Sequence, residues 1–101
     1  MAYRVVFDEM ASADFEEIIA YLNCVLKNRD AAEHFMDEVL NVVYELENTP
    51  GVFPLVKDDR LGSKGYRKRL FMNFVILYKI HAEDVHVVRI FHQSQDYGRL
   101  V

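Results

Sequence analysis

Apolar and polar positions along this chain follow two different periods, and the period changes near Gly65. Before that glycine, apolar residues in two long segments recur every three or four positions, the spacing typical of amphipathic helices. After it, short runs of β-branched and aromatic residues alternate with polar gaps the length of turns. The pattern therefore predicts a mainly helical first half and a second half made of strands.

The first half opens with a β-rich segment, Tyr3 to Phe7, which we predict to be a short strand. Asp8 is a candidate N-cap for a helix that runs to about Leu26, because apolar residues then recur at helical spacing. A second helix is predicted to start at Asp30, since Glu33 lies three residues further on, as in a capping box. The sequence NTPG ends this helix, so the two helices form a hairpin.

The second half begins with a long connection, residues 48–65, which contains both prolines and three of the four glycines. Three strands are predicted after it, over Tyr66–Phe71, Phe74–Ile80 and Val85–His92. The element order is β-α-α-β-β-β. We therefore expect a single α+β domain over residues 1–101, with the helix hairpin packed on one face of an antiparallel sheet.

The last two predicted strands are apolar at both alternating sets of positions, for example Val75 and Leu77 against Phe74 and Ile76. Both faces of the sheet should therefore be covered, yet two helices can cover only one. In one interpretation the long connection and the C-terminal tail cover the second face. In the other, that face is an apolar groove for a partner chain.

Length and composition narrow the class of protein. A chain of 101 residues with 51 % hydrophobic content is sufficient for one modest core. No apolar run approaches the roughly 18 residues of a membrane span, and no signal-peptide pattern is present, so we expect a cytoplasmic protein. Cys24 is the single cysteine and lies among apolar residues, which favours a buried, inert thiol.

The charge is distributed unevenly between the two halves. Residues 1–55 hold 3 Lys and Arg against 11 Asp and Glu, whereas residues 56–101 hold 9 against 5, so their net charges are −8 and +4. The basic half fits an acidic protein partner or a phosphate backbone. The alternative is a solvated acidic helical surface with no partner.

Motifs of nucleotide hydrolysis, serine hydrolysis and structural zinc are absent from the sequence, and we predict neither a cofactor nor a metal site. The remaining candidates are cations and one histidine. Arg67 and Arg69 should point to one face of their strand and Lys68 to the other. His92 closes the last strand four residues before Asp96, a carboxylate that could orient its ring for acid–base chemistry or simply organise the strand end.

These segments together resemble the RelE/ParE superfamily of bacterial toxins from toxin–antitoxin pairs, often called plasmid-stabilisation proteins. The likeness covers essentially the whole chain, in TPGVFPLV, GYRKRLF, NFVILYKI and VHVVRIFHQSQDY. Its most specific positions are Arg67, Tyr78, His92 and Asp96. The resemblance implies a growth-inhibiting toxin that a cognate antitoxin neutralises by laying a segment over the fold.

The superfamily contains two mechanisms. RelE-like members cut mRNA on the ribosome, and under that hypothesis Lys68, His92 and Tyr97 would be the catalytic residues. However, Val75 and Gln95 occupy positions where such nucleases carry arginines, and losing even one such donor typically costs about 100- to 1000-fold in rate. The resemblance therefore favours ParE-like inhibition of DNA gyrase through protein contact, with a non-toxic binding module as a third possibility.

We predict that the partner-binding residues are cations of the basic half, namely Arg67, Lys68, Arg69 and Arg89. The polar sequence after Phe91 is interpreted mainly as a strand end, in which His92 and Asp96 form a structural hydrogen bond.

Overall fold

The computed structural model describes residues 3–95. The elements, in chain order, are β1 (Arg4–Phe7), α1 (Glu9–Ala20), a π-helical segment (Tyr21–Val25), α2 (Arg29–Asn48), a 3₁₀ turn (Pro50–Val52), α3 (Asp59–Ser63), β2 (Tyr66–Phe71), β3 (Phe74–His81) and β4 (Asp84–His92). The predicted order of the main elements is confirmed. The predicted strands agree with the structure to within one residue at each end.

The four strands form one sheet in the order β1-β4-β3-β2. The pairs β2–β3 and β3–β4 are antiparallel, as predicted, whereas β1 lies parallel to β4, with Arg4 opposite Asp84 and Phe7 opposite Val87. The helix hairpin separates β1 from the other strands in sequence. It therefore acts as the crossover that a parallel pair requires.

One extra residue interrupts the alternation of β4. Tyr78 pairs with Val87, but Leu77 pairs with Arg89, so Val88 is a bulge. Val87 and Ile90 consequently lie in the same hydrophobic cluster although they are three residues apart. This bulge explains why the sequence of β4 looks apolar at both alternating sets of positions.

The start of the second helix differs from the prediction. Asn28, not Asp30, is the N-cap, and its side-chain oxygen accepts a hydrogen bond of 3.0 Å from the backbone N–H of Ala31. Lys27, the residue before this cap, has a positive φ of 52°. Glu33 does not form the capping box; its carboxylate lies 3.4 Å from Arg29 instead.

Cys24 is exposed, so the prediction of a buried thiol is wrong. The physical reason is the π-helical segment, in which the N–H of Leu26 bonds to the carbonyl of Tyr21, five residues back. This wider turn breaks the 3.6-residue period. As a result Leu22 stays buried while Cys24 and Val25 face outward.

The main core lies between the helix hairpin and one face of the sheet. An aromatic group forms its centre, where the Phe35 ring lies 5.8 Å from Phe15, 5.6 Å from Phe71 and 4.9 Å from Phe74 between ring centroids. Phe35 is fully buried. Periodic apolar positions of α1, α2 and three strands complete this helix-side core.

A second, smaller core covers the opposite face. Val56 and Leu61, from the long connection, pack there against Val75, Leu77 and Phe91 of the sheet. The long connection therefore packs on the second face, as one of the two interpretations predicted, and these sheet residues do not form an open groove. The C-terminal tail after residue 95, which that interpretation also invoked, lies outside the described residues. Within residues 3–95 no helix has the length and apolar character needed to span a membrane.

Candidate partner-binding site at the end of the sheet

A groove of about 840 Å³ lies where β4 extends beyond β1. β1 pairs only with residues 84–87 of β4, and no described strand pairs with the rest of that edge. The π-helical segment and the turn between β2 and β3 form its walls. The lining residues are Asp14, Glu17, Ile18, Tyr21, Leu22, Leu26, Met72, Asn73, Phe74, Arg89, Ile90, Phe91, His92 and Gln95.

Exposed apolar side chains surround this groove. Tyr21 and Leu26 are each 52 % exposed, and Met72 faces them from the β2–β3 turn with 42 % exposure. Met72 is held there by a positive φ of 52°. Large apolar side chains grouped on a surface are a common feature of protein contact sites.

Asp14 fixes α1 against the uncovered edge of β4. Its Oδ2 accepts hydrogen bonds from Arg89 Nε at 2.7 Å and from the backbone N–H of Ile90 at 2.9 Å. Its Oδ1 accepts a third, from Arg89 Nη2 at 3.1 Å. The hydrogen bond to Asp14 raises the pKa of Arg89. Arg89 was predicted as a partner-binding cation. In the structure it lines the groove and pairs with Asp14.

His92 lies at the rim of the groove and is exposed. The backbone N–H of Ser94 donates to His92 Nδ1 at 3.2 Å, and Ser94 Oγ lies 2.8 Å from the same nitrogen. The ring meets Phe74 edge-on at 5.8 Å between centroids, and the backbone N–H of His92 donates to Gln95 Oε1 at 2.9 Å. These contacts form a compact turn after β4.

Two of the predicted site residues, Asp96 and Tyr97, lie outside the described residues. Ser94 was missed as a partner of the His92 ring. Its signal in the sequence was the short spacing of a hydroxyl residue two positions after the histidine, which favours local side-chain to backbone hydrogen bonds.

Arg67 fastens the long connection to the sheet. Its Nη1 donates to the carbonyl of Phe53 at 2.6 Å and to that of Gly51 at 3.3 Å. Beside it, the hydroxyl of Tyr78 donates to the carbonyl of Pro50 at 2.5 Å. Tyr78 is fully buried, and burial raises the pKa of its phenol to about 12.

Arg69 joins the sheet to α2. Its Nε donates to Glu45 Oε1 at 2.8 Å, and its guanidinium lies 5.2 Å from the centroid of the Phe53 ring. The same guanidinium donates to the carbonyl of Leu70. Arg67 and Arg69 thus point to the same face of the strand, as predicted from strand alternation. That face is the helix side, and both side chains make contacts within the fold.

Lys68 is on the other face of β2, opposite Leu77. His92 is paired with Phe74, whose side chain belongs to the helix-side core. Lys68 and His92 are thus separated by two strand spacings, roughly 10 Å, and by three residues along the strands, another 10 Å or so. The structure does not bring these two predicted catalytic residues together.

Val75, at the position of an expected nuclease arginine, is buried in the smaller core. Among residues 3–95, no group of three or more His, Cys, Asp or Glu side chains is arranged to hold a metal ion.

Comparison with known proteins gives one family and related folds. A family model described as the ParE toxin of the type II toxin–antitoxin system, parDE, matches residues 5–97. A search of curated proteins finds no match.

Several solved structures share the fold, and two of them are toxin–antitoxin systems. One is described as the chromosomal ParDE toxin–antitoxin system from P. aeruginosa, with 16 % identity, a TM-score of 0.71 and coverage of 90 % of this chain and 96 % of that chain. The other is the RelBE2 toxin–antitoxin complex from Mycobacterium tuberculosis, with 17 % identity, a TM-score of 0.67 and coverage of 91 % and 99 %.

Proposed function

From the premise that this chain belongs to the ParE toxin family of type II toxin–antitoxin systems, we propose that it inhibits DNA gyrase by protein contact. We further propose that a cognate antitoxin neutralises it by covering the groove at the end of the sheet. The two solved structures described above are toxin–antitoxin systems, which supports the antitoxin as a partner.

The observation that carries the proposal is the composition of the groove. Tyr21, Leu26 and Met72 present apolar surface beside the polar rim of His92 and Gln95. Aromatic and apolar anchors surrounded by polar groups are typical of protein interfaces. An antitoxin that filled this groove would shield the same side chains from the target, so neutralisation would need no chemical change in the toxin.

The hydrogen bonds of His92 also favour contact over catalysis. The backbone N–H of Ser94 donates to Nδ1, which favours the neutral tautomer that carries its proton on Nε2. Nδ1, the nitrogen able to accept a proton, is thus engaged within the turn. A general base for a ribose hydroxyl must present an unprotonated nitrogen to its substrate.

The alternative is a RelE-like mRNA endoribonuclease, and one observation favours it: His92 is exposed at the rim of a groove large enough for a nucleotide. Under this alternative, Lys68 and Tyr97 would complete the site. The partners would then be the ribosome and mRNA rather than gyrase.

Parallel assays distinguish the two mechanisms. Purified protein should inhibit supercoiling by purified gyrase and should leave mRNA intact in a translation extract. Tyr21→Ala should weaken gyrase inhibition about ten-fold or more, as expected for an aromatic anchor. Val52→Gln, at a 68 % exposed apolar position outside the groove, is the matched control and should inhibit like the wild type. Codon-specific cleavage on ribosomes would reject the gyrase proposal.

His92→Ala tests the role of the histidine. We expect a folded protein with at most a few-fold loss of inhibition, because the ring contributes a contact and a turn rather than a proton transfer. Circular dichroism and the two activity assays provide the measurement. A fully folded variant with no toxicity would instead support the nuclease.

Neutralisation is tested by co-expression with the protein that the neighbouring gene encodes. The two should elute together from a size-exclusion column at micromolar concentration, and Tyr21→Ala should weaken that complex as well. Separate elution of two folded species would contradict the proposed antitoxin site.

A further inference from the structure

The second half of β4 has an open edge. On the side away from β3, β1 pairs only with residues 84–87, so residues 88–92 have no partner strand there among residues 3–95. The groove of about 840 Å³ beside this edge leaves room for an extended backbone. An open strand edge next to exposed apolar side chains is a template for pairing with another chain.

The direction of the backbone groups decides which of them face the open edge. The N–H of Gln93 donates to the carbonyl of Asn73, so it points to the opposite side, toward the β2–β3 turn. Backbone groups of consecutive residues alternate between the two sides of a strand. Those of His92 and Ile90 therefore face the open edge.

Side chains of this same chain occupy these groups. The N–H of Ile90 donates to Asp14 Oδ2 at 2.9 Å. The N–H of His92 donates to Gln95 Oε1 at 2.9 Å, and its carbonyl accepts a hydrogen bond of 2.9 Å from the backbone N–H of Gln95. Two side-chain oxygens thus take the places that backbone carbonyls of a neighbouring strand would take.

Arg89 holds Asp14 in this position. Its guanidinium donates to the Asp14 carboxylate at 2.7 Å from Nε and at 3.1 Å from Nη2. The two side chains are only 15 % and 12 % exposed. Salt screens such a pair much less than it screens a pair at the surface. The carboxylate is therefore fixed against the strand.

The other edge of the sheet, along β2, is completed in a similar way. Backbone hydrogen bonds join residues 54–56 of the long connection to residues 66–68. Beyond them, Arg69 donates to the carbonyl of Leu70 and is itself paired with Glu45. At each edge, a side chain that belongs to an ion pair binds the strand backbone.

We infer that Asp14 and Gln95 protect the open edge of β4 and keep the free chain from pairing with a second copy of itself. A second copy is the competitor that fits, because two identical edges placed antiparallel about a twofold axis offer each other matching donors and acceptors. Such pairing would also bury Tyr21 and Leu26 beside the edge, which favours it. A partner that fills the groove with side chains alone leaves both caps in place, so the inference does not depend on the proposed function.

The double variant Asp14→Ala/Gln95→Ala tests the inference in the full-length chain. At a concentration on the order of 100 μM, the wild type should sediment as a monomer and the double variant mainly as a symmetric dimer. In the dilute double variant, the amides of Ile90 and His92 should exchange with solvent at least about ten-fold faster than in the wild type, because each has lost its hydrogen bond. Both amides should become protected again as the concentration rises.

Three further variants are the controls. Asp14→Asn/Gln95→Glu keeps an acceptor oxygen at each position and should stay monomeric. Glu17→Ala removes a carboxylate from the same groove, leaves both caps and should also stay monomeric. Gln95→Ala alone changes an exposed position, so the fold is preserved, and it should accelerate exchange at His92 but not at Ile90.

Several outcomes would overturn the inference. One is a double variant that remains monomeric while both amides exchange rapidly, and another is a wild type that already dimerises at the same concentration. Dimerisation without renewed protection of Ile90 and His92 would place the contact elsewhere. Equal dimerisation of Asp14→Asn/Gln95→Glu would show that the acceptor oxygens do not keep the copies apart. If the double variant fails to fold, unchanged exchange at His92 in Gln95→Ala would refute the cap by itself.

Discussion

The two faces of the sheet are covered in different ways. On one face, two regular helices bury a periodic stripe around Phe35. On the other, an irregular connection places Val56 and Leu61 over the strands. The first cover is held by many apolar contacts, whereas the second is small and is tied to β2 by backbone hydrogen bonds, from the N–H of Val56 to the carbonyl of Tyr66 and from the N–H of Lys68 to the carbonyl of Pro54. The two faces are therefore covered to different extents and by different kinds of contact.

The largest expected effect is on the helix side. Phe35→Ala removes a ring in contact with three other aromatic rings, and the free energy of unfolding should fall by about 3 to 5 kcal/mol. Chemical denaturation followed by circular dichroism measures this change. A loss below about 1 kcal/mol would show that the helix-side core does not dominate stability.

Leu61→Ala tests the loop side. Leu61 is fully buried, so truncation should cost about 2 to 4 kcal/mol. If the connection is a separate cooperative unit, hydrogen exchange should accelerate at residues 54–65 before it does in α2. Uniform acceleration across both faces would instead show that the two cores unfold as one.

Glycine substitutions sharpen the same contrast. A Cβ atom at Gly62 would lie 2.5 Å from the backbone carbonyl oxygen of Val56, so Gly62→Ala should destabilise the loop-side cover by about 1 to 3 kcal/mol. At Gly51 a Cβ atom would meet nothing within 4 Å, and Gly51→Ala is the matched control. Thermal denaturation of both variants measures the difference, and equal melting temperatures would contradict the expected crowding.

The smallest expected effect concerns the hydrogen bond from the hydroxyl of Tyr78 to the carbonyl of Pro50. Tyr78→Phe leaves the Pro50 carbonyl without its donor and should cost about 1 to 2 kcal/mol at pH 7. Burial raises the pKa of Tyr78 from 10.0 to about 12, so the folded state keeps the proton that the unfolded state loses. The advantage of the wild type is complete below pH 10 and should shrink as the pH rises toward 12.

Denaturation of wild type and Tyr78→Phe in parallel at several pH values tests this dependence. The other tyrosines and the lysines titrate in both proteins, and their contributions cancel in the difference. A constant difference from pH 8 to pH 12 would show that the pKa of Tyr78 is the same in the folded and unfolded states.

The sequence predicted the helix-side architecture well. Apolar residues at helical spacing mark the two helices, and the two-residue period of a strand places Arg67 and Arg69 on one face. It predicted neither the π-helical turn that exposes Cys24 nor the cap at Asn28, since both depend on how the chain reverses between the helices. The loop-side cover was left as one of two alternatives. Its decisive contacts, from Val56 and Leu61 to Val75, Leu77 and Phe91, join residues that are distant in sequence, so no local pattern predicts them.

The candidate site was predicted only in part. His92 was singled out because a polar sequence follows an apolar strand, and the structure places it at the rim of a groove. The apolar side of that groove was missed, because Tyr21 and Leu26 belong to a helical stripe that normally faces the core. Arg89 was predicted as a docking cation, yet it pairs with Asp14, 75 residues away in sequence.

The bulge at Val88 divides β4 into two parts, each with a regular alternation of side chains between the two faces of the sheet. Residues before the bulge pair with β1, and the alternation after it determines the face on which Ile90, Phe91 and His92 lie. Deleting Val88 would remove the bulge and place Arg89 directly after Val87, with Ile90 still opposite Ile76 and His92 still opposite Phe74. One codon gained or lost at this point during evolution would therefore change the local twist of β4 without moving any later side chain to the other face of the sheet.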